Sequence, residues 1–385
     1  MKLLLYSHFF APSVGGVETI VSSLADGLAE LEDEQGRREF EVTVATQTAA
    51  GAEGDKGRAF RVVRQPRTAE LRRRIRECDV VHVAGPAILP MALAWLARKP
   101  FVVEHHGYQA ICPNGLLVHQ PDDRICPGHF QARHYGECVR CERAAGGGRS
   151  GLITLMLTAI RHWLVRRAKA NIAVSHHVDA RVALPHSKVI YHGIDAPVPA
   201  DEVAQANRLC FAYVGRFVPE KGIEVLLEAA ASLRGQRDDF TIKLIGDGSE
   251  REELQAVIAH HNLRDVVAIT GFLTGSALDE ALRDVIVVMP SLWEETAGLS
   301  AMEQMMRGRL VIASRVGGLA EIVGEAGMTF EMGNSKALAH CMLQALNQPS
   351  LIESYGRQAR LRAGELFQRS RMIAEHASLY RQLAG

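Results

Sequence analysis

Short apolar, β-rich runs alternate with helix-period stretches from one end of this chain to the other, and that alternation restricts its fold more than any other feature. Strand candidates in the first half are Leu3–Tyr6, Phe40–Ala45, Val80–Val83, Phe101–Glu104 and Ala170–Val174. In the second half they are Leu209–Val214, Thr241–Ile245, Val266–Thr270, Val285–Met289 and Leu310–Ala313. Apolar runs of this length, separated by helices, pair as parallel strands. At 385 residues the chain is long enough for two such sheets, each with its own core. Between the two sets lies Val189-Ile-Tyr-His-Gly-Ile-Asp-Ala-Pro-Val-Pro-Ala200, whose glycine and prolines no regular element continues through. The expected architecture is α/β, two doubly wound domains facing one another across a cleft, with the joint in that segment. In such sheets ligands sit beyond the C-terminal ends of the strands.

Two loops in the second half carry the chemistry. The run Val285–Met289 leads into Pro290-Ser-Leu-Trp-Glu-Glu-Thr-Ala-Gly-Leu-Ser-Ala-Met-Glu303, with a helix expected from about Gly298. That places Glu295 on the loop and Glu303 inside the helix. A helix N-terminus offers free N–H groups and a positive dipole end to an anion, while carboxylates accept hydrogen bonds from sugar hydroxyls. After the strand ending at Val214 comes Gly215-Arg-Phe-Val-Pro-Glu-Lys-Gly222. There Gly215 permits a tight turn, Arg216 can fork onto two phosphate oxygens, and Lys221 adds a compact second charge.

Four strings, Gly15-Gly-Val-Glu18, Gly215 to Gly222, Gly246-Asp-Gly248 and Glu295 to Glu303, occur in the order that family 4 of the retaining glycosyltransferases shows. The chain resembles that family over most of its length. The resemblance implies the GT-B fold of two Rossmann-like domains and transfer of a sugar from a nucleotide sugar with retention at the anomeric carbon. It implies that Arg216 and Lys221 hold the donor diphosphate, Glu295 accepts a hydrogen bond from the donor sugar, and Glu303 one from the ribose. Backbone N–H groups near Gly298 and Leu299 would meet the phosphate, and Gly271-Phe272-Leu273 matches the region that seats the base. Where family members often carry an aromatic residue this chain has Ala297, which gives the donor-sugar pocket a different shape. The implied domains are 1–195, 196–365 and a C-terminal helix, 366–385, that crosses back to the first.

In the first half, His8-Phe-Phe-Ala-Pro-Ser-Val-Gly-Gly-Val-Glu18 precedes an apolar-periodic helix through Leu28, and Gly15 and Gly16 let backbone approach a ligand closely. Phe101-Val-Val-Glu-His-His-Gly107 ends another strand with two histidines. The family carries a donor-sugar-contacting histidine here; His106, directly before the glycine, is the better match and His105 the fallback. The implied chemistry is front-face attack, in which the leaving phosphate takes the acceptor's proton. Charge building on the diphosphate is stabilised by Arg216, Lys221 and the helix N-terminus, so no catalytic divalent ion is expected.

Four of seven cysteines, Cys112, Cys126, Cys138 and Cys141, crowd an irregular insert over 108–148. In a cytosolic protein such a set suits structural Zn²⁺; an iron–sulfur cluster, free thiols or disulfides are the alternatives. His119, His129 or His134 can replace one ligand. Cys78, Cys210 and Cys341 read as buried small hydrophobes. The tract Gly146-Gly-Gly148 reads as a flexible joint.

With 44 basic and 44 acidic residues, the balance argues against bulk electrostatic binding of nucleic acid, with a local basic patch as the alternative. The segment Lys2–Tyr6 is too short for a signal-peptide core, and no apolar run reaches the roughly 18 residues that span a bilayer. A cytoplasmic protein is expected. Ser150–Lys169 reads as a core helix with a solvated basic face; an interfacial helix on anionic lipid, suited to a lipid-linked acceptor, is the alternative. The acceptor is a saccharide or a lipid-linked one, and the donor nucleotide UDP or GDP. Rival readings are a sugar-nucleotide epimerase or phosphorylase in the same cleft, and a catalytically silent scaffold whose cysteine module binds a partner.

Overall fold

The computed structural model describes residues 1–13, 15–49, 55, 57–146, 150–195 and 209–384. The chain divides into two compact units. The first is Met1–Gly193 with the C-terminal segment from Arg369 onward, and the second is Ile194–Gln368. The Gly147–Gly148 part of the expected flexible joint, and residues 196–200 of the expected interdomain segment, lie outside the described residues.

In the first unit the strands are β1 (Lys2–Ser7), β2 (Glu41–Thr46), β3 (Arg61–Arg64), β4 (Val80–Ala84), β5 (Phe101–His105), a small antiparallel hairpin of β6 (Val118–His119) and β7 (Arg124–Ile125), β8 (Ala170–Ala173) and β9 (Ser187–Val189). All except the hairpin form one parallel sheet, ordered β3-β2-β1-β4-β5-β8-β9. The second unit holds β10 (Cys210–Val214), β11 (Thr241–Ile245), β12 (Val267–Gly271), β13 (Ile286–Met289), β14 (Val311–Ser314) and β15 (Met328–Phe330). Their order, β12-β11-β10-β13-β14-β15, is again all parallel. Each unit is a doubly wound, Rossmann-like sheet. The strand order reverses between β1 and β4 in one and between β10 and β13 in the other, and such switch points are where ligands bind.

The strands expected from the sequence are all present, shifted by a residue or so at their ends. Not anticipated were β3, β9 and β15, the outermost strands on their edges of the two sheets. An edge strand need not be apolar on both faces, so Arg61-Val-Val-Arg64 and Ser187-Lys-Val189 never present the continuous hydrophobic run that marks an interior strand. In the second unit, Phe211, Leu226, Phe240, Ile242, Ile286 and Ile312 are fully or almost fully buried in one continuous core.

The C-terminal helix, Arg369–Ala384, packs on helix Gly16–Glu30 of the first unit. It buries Met372, Ile373, His376, Ala377 and Tyr380, a helix-period stripe. Gly27 makes the approach possible, because a Cβ there would lie 2.0 Å from Ile373 Cδ1. Arg369 Nε donates to Ser23 Oγ at 2.9 Å, and Arg381 forks onto Glu39 at 2.6 and 2.7 Å.

Candidate functional site

The loops that follow β10 and β13 lie side by side at the switch point of the second unit. Leu292 N–H donates to the Glu220 carbonyl at 2.9 Å and couples them. Gly222, at φ 63°, passes so close beneath Pro290 that a Cβ would meet its carbonyl oxygen at 2.3 Å. Lys221 Nζ thereby reaches Glu295 Oε1 at 2.8 Å. The Ser291 hydroxyl donates to the same oxygen. Glu295 is only 4% exposed. Burial alone would raise its carboxyl, but the charge and hydrogen bond of Lys221 and the bond from Ser291 hold it below the usual range. Lys221 also lies 5.8 Å from the centre of the Trp293 ring. Arg216 is exposed, and among the described residues its guanidinium makes no ion pair.

Gly298, at φ 72°, precedes helix Leu299–Met306 in the left-handed conformation that favours glycine, and aims the first turn's N–H groups out of the loop. Glu303 lies inside that helix, half-buried, and burial raises its carboxyl above the ordinary value. At the end of β12, Gly271 has φ 79° and Phe272 is 63% exposed, a ring free to stack on a planar ligand. Gly246 and Gly248 serve the neighbouring loop: a Cβ on either would come within 1.9 Å of the Gly215 carbonyl oxygen or 2.2 Å of that of Phe217. Ala297 is buried. The sequence reading missed Ser291, which shares the carboxylate, and Gly317-Gly318. Gly318 N–H donates to the Glu295 carbonyl at 2.6 Å, and a Cβ on Gly317 would strike the Glu294 backbone at 2.7 Å. A glycine pair just beyond an apolar run was the available signal.

In the first unit Gly15 is the N-cap of helix Gly16–Glu30, and a Cβ there would lie 2.4 Å from Glu18 Oε2. At the end of β5 the two histidines part. His105 turns into the sheet, where Nε2 meets Asn171 Oδ1 at 3.0 Å and burial pushes its ring down to about 4. His106 stacks on His192, ring centres 5.1 Å apart, and its Nε2 lies 3.4 Å from Glu104 Oε2.

The insert brings its four cysteines into one buried region. Cys112 Sγ donates to Asn114 Oδ1 at 3.0 Å, and Asn114 Nδ2 donates to Cys141 Sγ at 3.5 Å. Burial pushes Cys112 up to about 11; burial and repulsion from Cys112, Cys126 and Cys141 push Cys138 up to about 12. A bound cation would relieve that repulsion, so the thiol set fits Zn²⁺ in kind. Yet the groups of three ligand atoms found within 4.8 Å of one another among the described residues do not include these sulfurs; in the insert that group is His119, His129 and Glu137.

The helix Ser150–Val165 differs from the expected core helix. Leu152, Ile153, Met156, Ile160 and Trp163 are exposed, whereas Arg161 and His162 are half-buried. Arg167 covers the Trp163 ring at 3.4 Å, and Trp163 meets the exposed Trp95 edge-on at 5.1 Å. No helix among the described residues is long and apolar enough to cross a membrane.

Residues 14–197 match the family model described as Glycosyltransferase Family 4, and residues 198–362 match that of Glycosyl transferases group 1. The chain belongs to the family 4 glycosyltransferases. It is 28% identical over 244 residues to a 2-deoxystreptamine glucosyltransferase of Streptomyces kanamyceticus, covering 58% of this chain and 62% of that protein. An alpha-D-kanosaminyltransferase of the same organism is 30% identical over 180 residues, 46% of each chain. The chain thus spans about half the length of these curated relatives. Anabaena HepE, solved in complex with UDP, superposes with a TM-score of 0.74 at 21% identity, covering 99% of this chain and 100% of that one. Sucrose-phosphate synthase of Thermosynechococcus elongatus superposes with a TM-score of 0.71 at 22% identity over 99% and 98%. These likenesses establish the GT-B fold.

Proposed function

We propose that the chain is a retaining glycosyltransferase that moves a sugar from a nucleoside diphosphate sugar to a saccharide or lipid-linked acceptor. The observation that carries this reading is the Lys221–Glu295 pair beside a glycine-capped helix N-terminus at the switch point of the second unit. Bond cleavage leaves charge on the diphosphate. Lys221 has further N–H bonds beyond the one given to Glu295, Arg216 is exposed for a forked contact, and the Leu299 turn adds backbone donors. Glu295, kept ionised, accepts from a sugar hydroxyl; Glu303 accepts from the ribose, and Phe272 stacks near the base. His106 is the residue that the family resemblance assigns to the donor sugar. The departing phosphate oxygen takes the acceptor's proton in a front-face step, a scheme that calls for no catalytic divalent ion. UDP is the proposed donor nucleotide, since HepE of the same fold was solved with UDP.

Calorimetric titration with UDP, GDP, ADP and TDP tests the donor site. Selective micromolar binding of UDP, lost in Lys221→Ala and weakened in Arg216→Ala, supports the reading; no binding of any of the four removes it. Product formation that survives a chelator selective for Mg²⁺ and Mn²⁺ is expected, and its complete loss would sink the metal-free scheme. A structural zinc would be held by Cys112, Cys126, Cys138 and Cys141 and would fix the insert without entering the reaction.

The exposed apolar stripe from Leu152 to Trp163, rimmed by Trp95, Arg166 and Arg167, supports peripheral contact with an anionic membrane and so a lipid-linked acceptor.

A further inference from the structure

Glu104, at the end of β5, is fully buried, and four histidines from separate parts of the first unit close around its carboxylate. His82 of β4 brings Nε2 to 3.1 Å from Oε2, and His106 brings Nε2 to 3.4 Å from the same oxygen. Around Oε1 stand His192 Nδ1 at 3.8 Å and His376 Nε2, from the C-terminal helix, at 4.0 Å. His82, His192 and His376 are each no more than 4% exposed.

Two of these rings are aimed from behind. His376 Nδ1 lies 2.8 Å from the Met372 carbonyl, which can only accept, so Nδ1 carries the proton and Nε2 of the neutral ring presents a lone pair. His82 Nδ1 lies 2.8 Å from the Tyr380 hydroxyl. An outer nitrogen anchored to oxygen, with the inner one aimed at a shared point, is the arrangement that metal-ligating histidines adopt.

Around that point three buried atoms, Glu104 Oε1, His192 Nδ1 and His376 Nε2, have no hydrogen-bond partner. The unpartnered carboxylate oxygen of Glu104 therefore faces the Nε2 lone pair of His376 at 4.0 Å. Two buried acceptors so placed are unfavourable unless a cation lies between them.

We propose that His82, Glu104 and His376 form a buried site for a divalent transition-metal cation of the Zn²⁺ type, which ties the C-terminal helix to β4 and β5. Imidazole with one carboxylate suits Zn²⁺ and its neighbours and not Ca²⁺ or Mg²⁺, which take oxygen shells. The ligand atoms of His82, Glu104 and His376 all lie within 4.8 Å of one another. Zinc with bonds of about 2.0–2.1 Å needs roughly 3.3 Å between ligand atoms, so each side chain moves inward by less than about 1 Å. All three ligands are buried, and the role is structural. His192 and His106 face Glu104 in a second group, outside this set. The site is independent of the cysteine insert.

Metal analysis combined with zinc K-edge X-ray absorption on the full-length protein, after incubation with equimolar zinc sulfate and gel filtration, tests it. The expected result is about one equivalent in a nitrogen and oxygen shell near 2.0–2.1 Å, distinct from any sulfur shell near 2.3 Å. Glu104→Gln and His376→Gln, each close in size to the residue replaced, should each abolish the nitrogen–oxygen component and leave any sulfur component unchanged. Folded wild-type protein that takes up no zinc in a nitrogen–oxygen shell overturns the proposal. So does a nitrogen–oxygen component that survives in both variants.

Discussion

At the scale of single residues, the donor site is a buried charge pair whose members depend on each other unequally. Removing Lys221 leaves Glu295 ionised, 4% exposed and served by Ser291. Stranding a buried charge typically costs about 3–5 kcal/mol, and the Ser291 bond places this case near the lower bound. Lys221→Ala should therefore lose about 3 kcal/mol in urea unfolding and about 10²–10³-fold in turnover, the effect of removing one stabilising donor. Adding Glu295→Gln should restore part of the stability and none of the turnover; a double variant less stable than Lys221→Ala would contradict the coupling. Glu303 behaves in the opposite sense. Its folded carboxyl titrates above its unfolded value, so the fold favours the protonated form, and stability rises as pH falls through the folded value toward the unfolded one. At pH 7 the ionised side chain is held at a cost. Glu303→Gln should leave the melting temperature unchanged or raised while weakening nucleotide binding about tenfold, and a lowered melting temperature would contradict this. The conflict between binding and stability at one position is the pattern expected of a functional residue.

At the scale of elements, the helix Ser150–Val165 has an apolar face that the first unit leaves uncovered. Full burial of an Ile side chain is worth about 1.5–3 kcal/mol, so removing two from an interface should weaken membrane binding by more than tenfold. Ile153→Glu with Ile160→Glu should abolish flotation on vesicles rich in anionic lipid and leave the melting temperature within about 1 °C, because both side chains are exposed. Flotation equal to wild type would rule this face out. The helix also shows where sequence reading reached its limit. Its apolar periodicity was plain, but periodicity says which face is apolar and not whether another element covers it. Interior strands were legible because they are apolar on both sides; β3, β9 and β15 were not. The loops bearing Lys221, Glu295 and Gly298 were legible because each follows such a strand and ends in a glycine before a helix. The cluster around Glu104 was not legible. His82, His192 and His376 lie far apart in the chain, and a lone histidine carries no sign of which others the fold will bring to it.

At the scale of the whole molecule, the second unit is an insertion in the first: the chain leaves at Gly193 and returns at Arg369. The two ends of the inserted unit are held together, since Ile194 N–H donates to the Phe367 carbonyl at 2.9 Å and Ile194 pairs with Gln368 as a parallel bridge. A unit with its own sheet, its own core and adjacent termini meets the conditions for folding alone. Its core, from Phe211 to Ile352, is continuous within that unit. Residues 194–368 expressed by themselves should give a monodisperse protein with a cooperative thermal transition. The Lys221–Glu295 pair and the Gly298-capped helix both lie inside it, so UDP should still bind wherever the base and diphosphate contribute most of the affinity. Ligand at a hundred times its dissociation constant should stabilise the fragment by about 2.7 kcal/mol, visible as an upward shift in its transition. Residues His106 and Gly15 belong to the first unit, so the fragment should bind nucleotide and fail to transfer sugar. A fragment that unfolds without cooperativity would mean that the second unit depends on the first for its stability. A folded fragment that ignores UDP would instead place essential nucleotide contacts in the first unit.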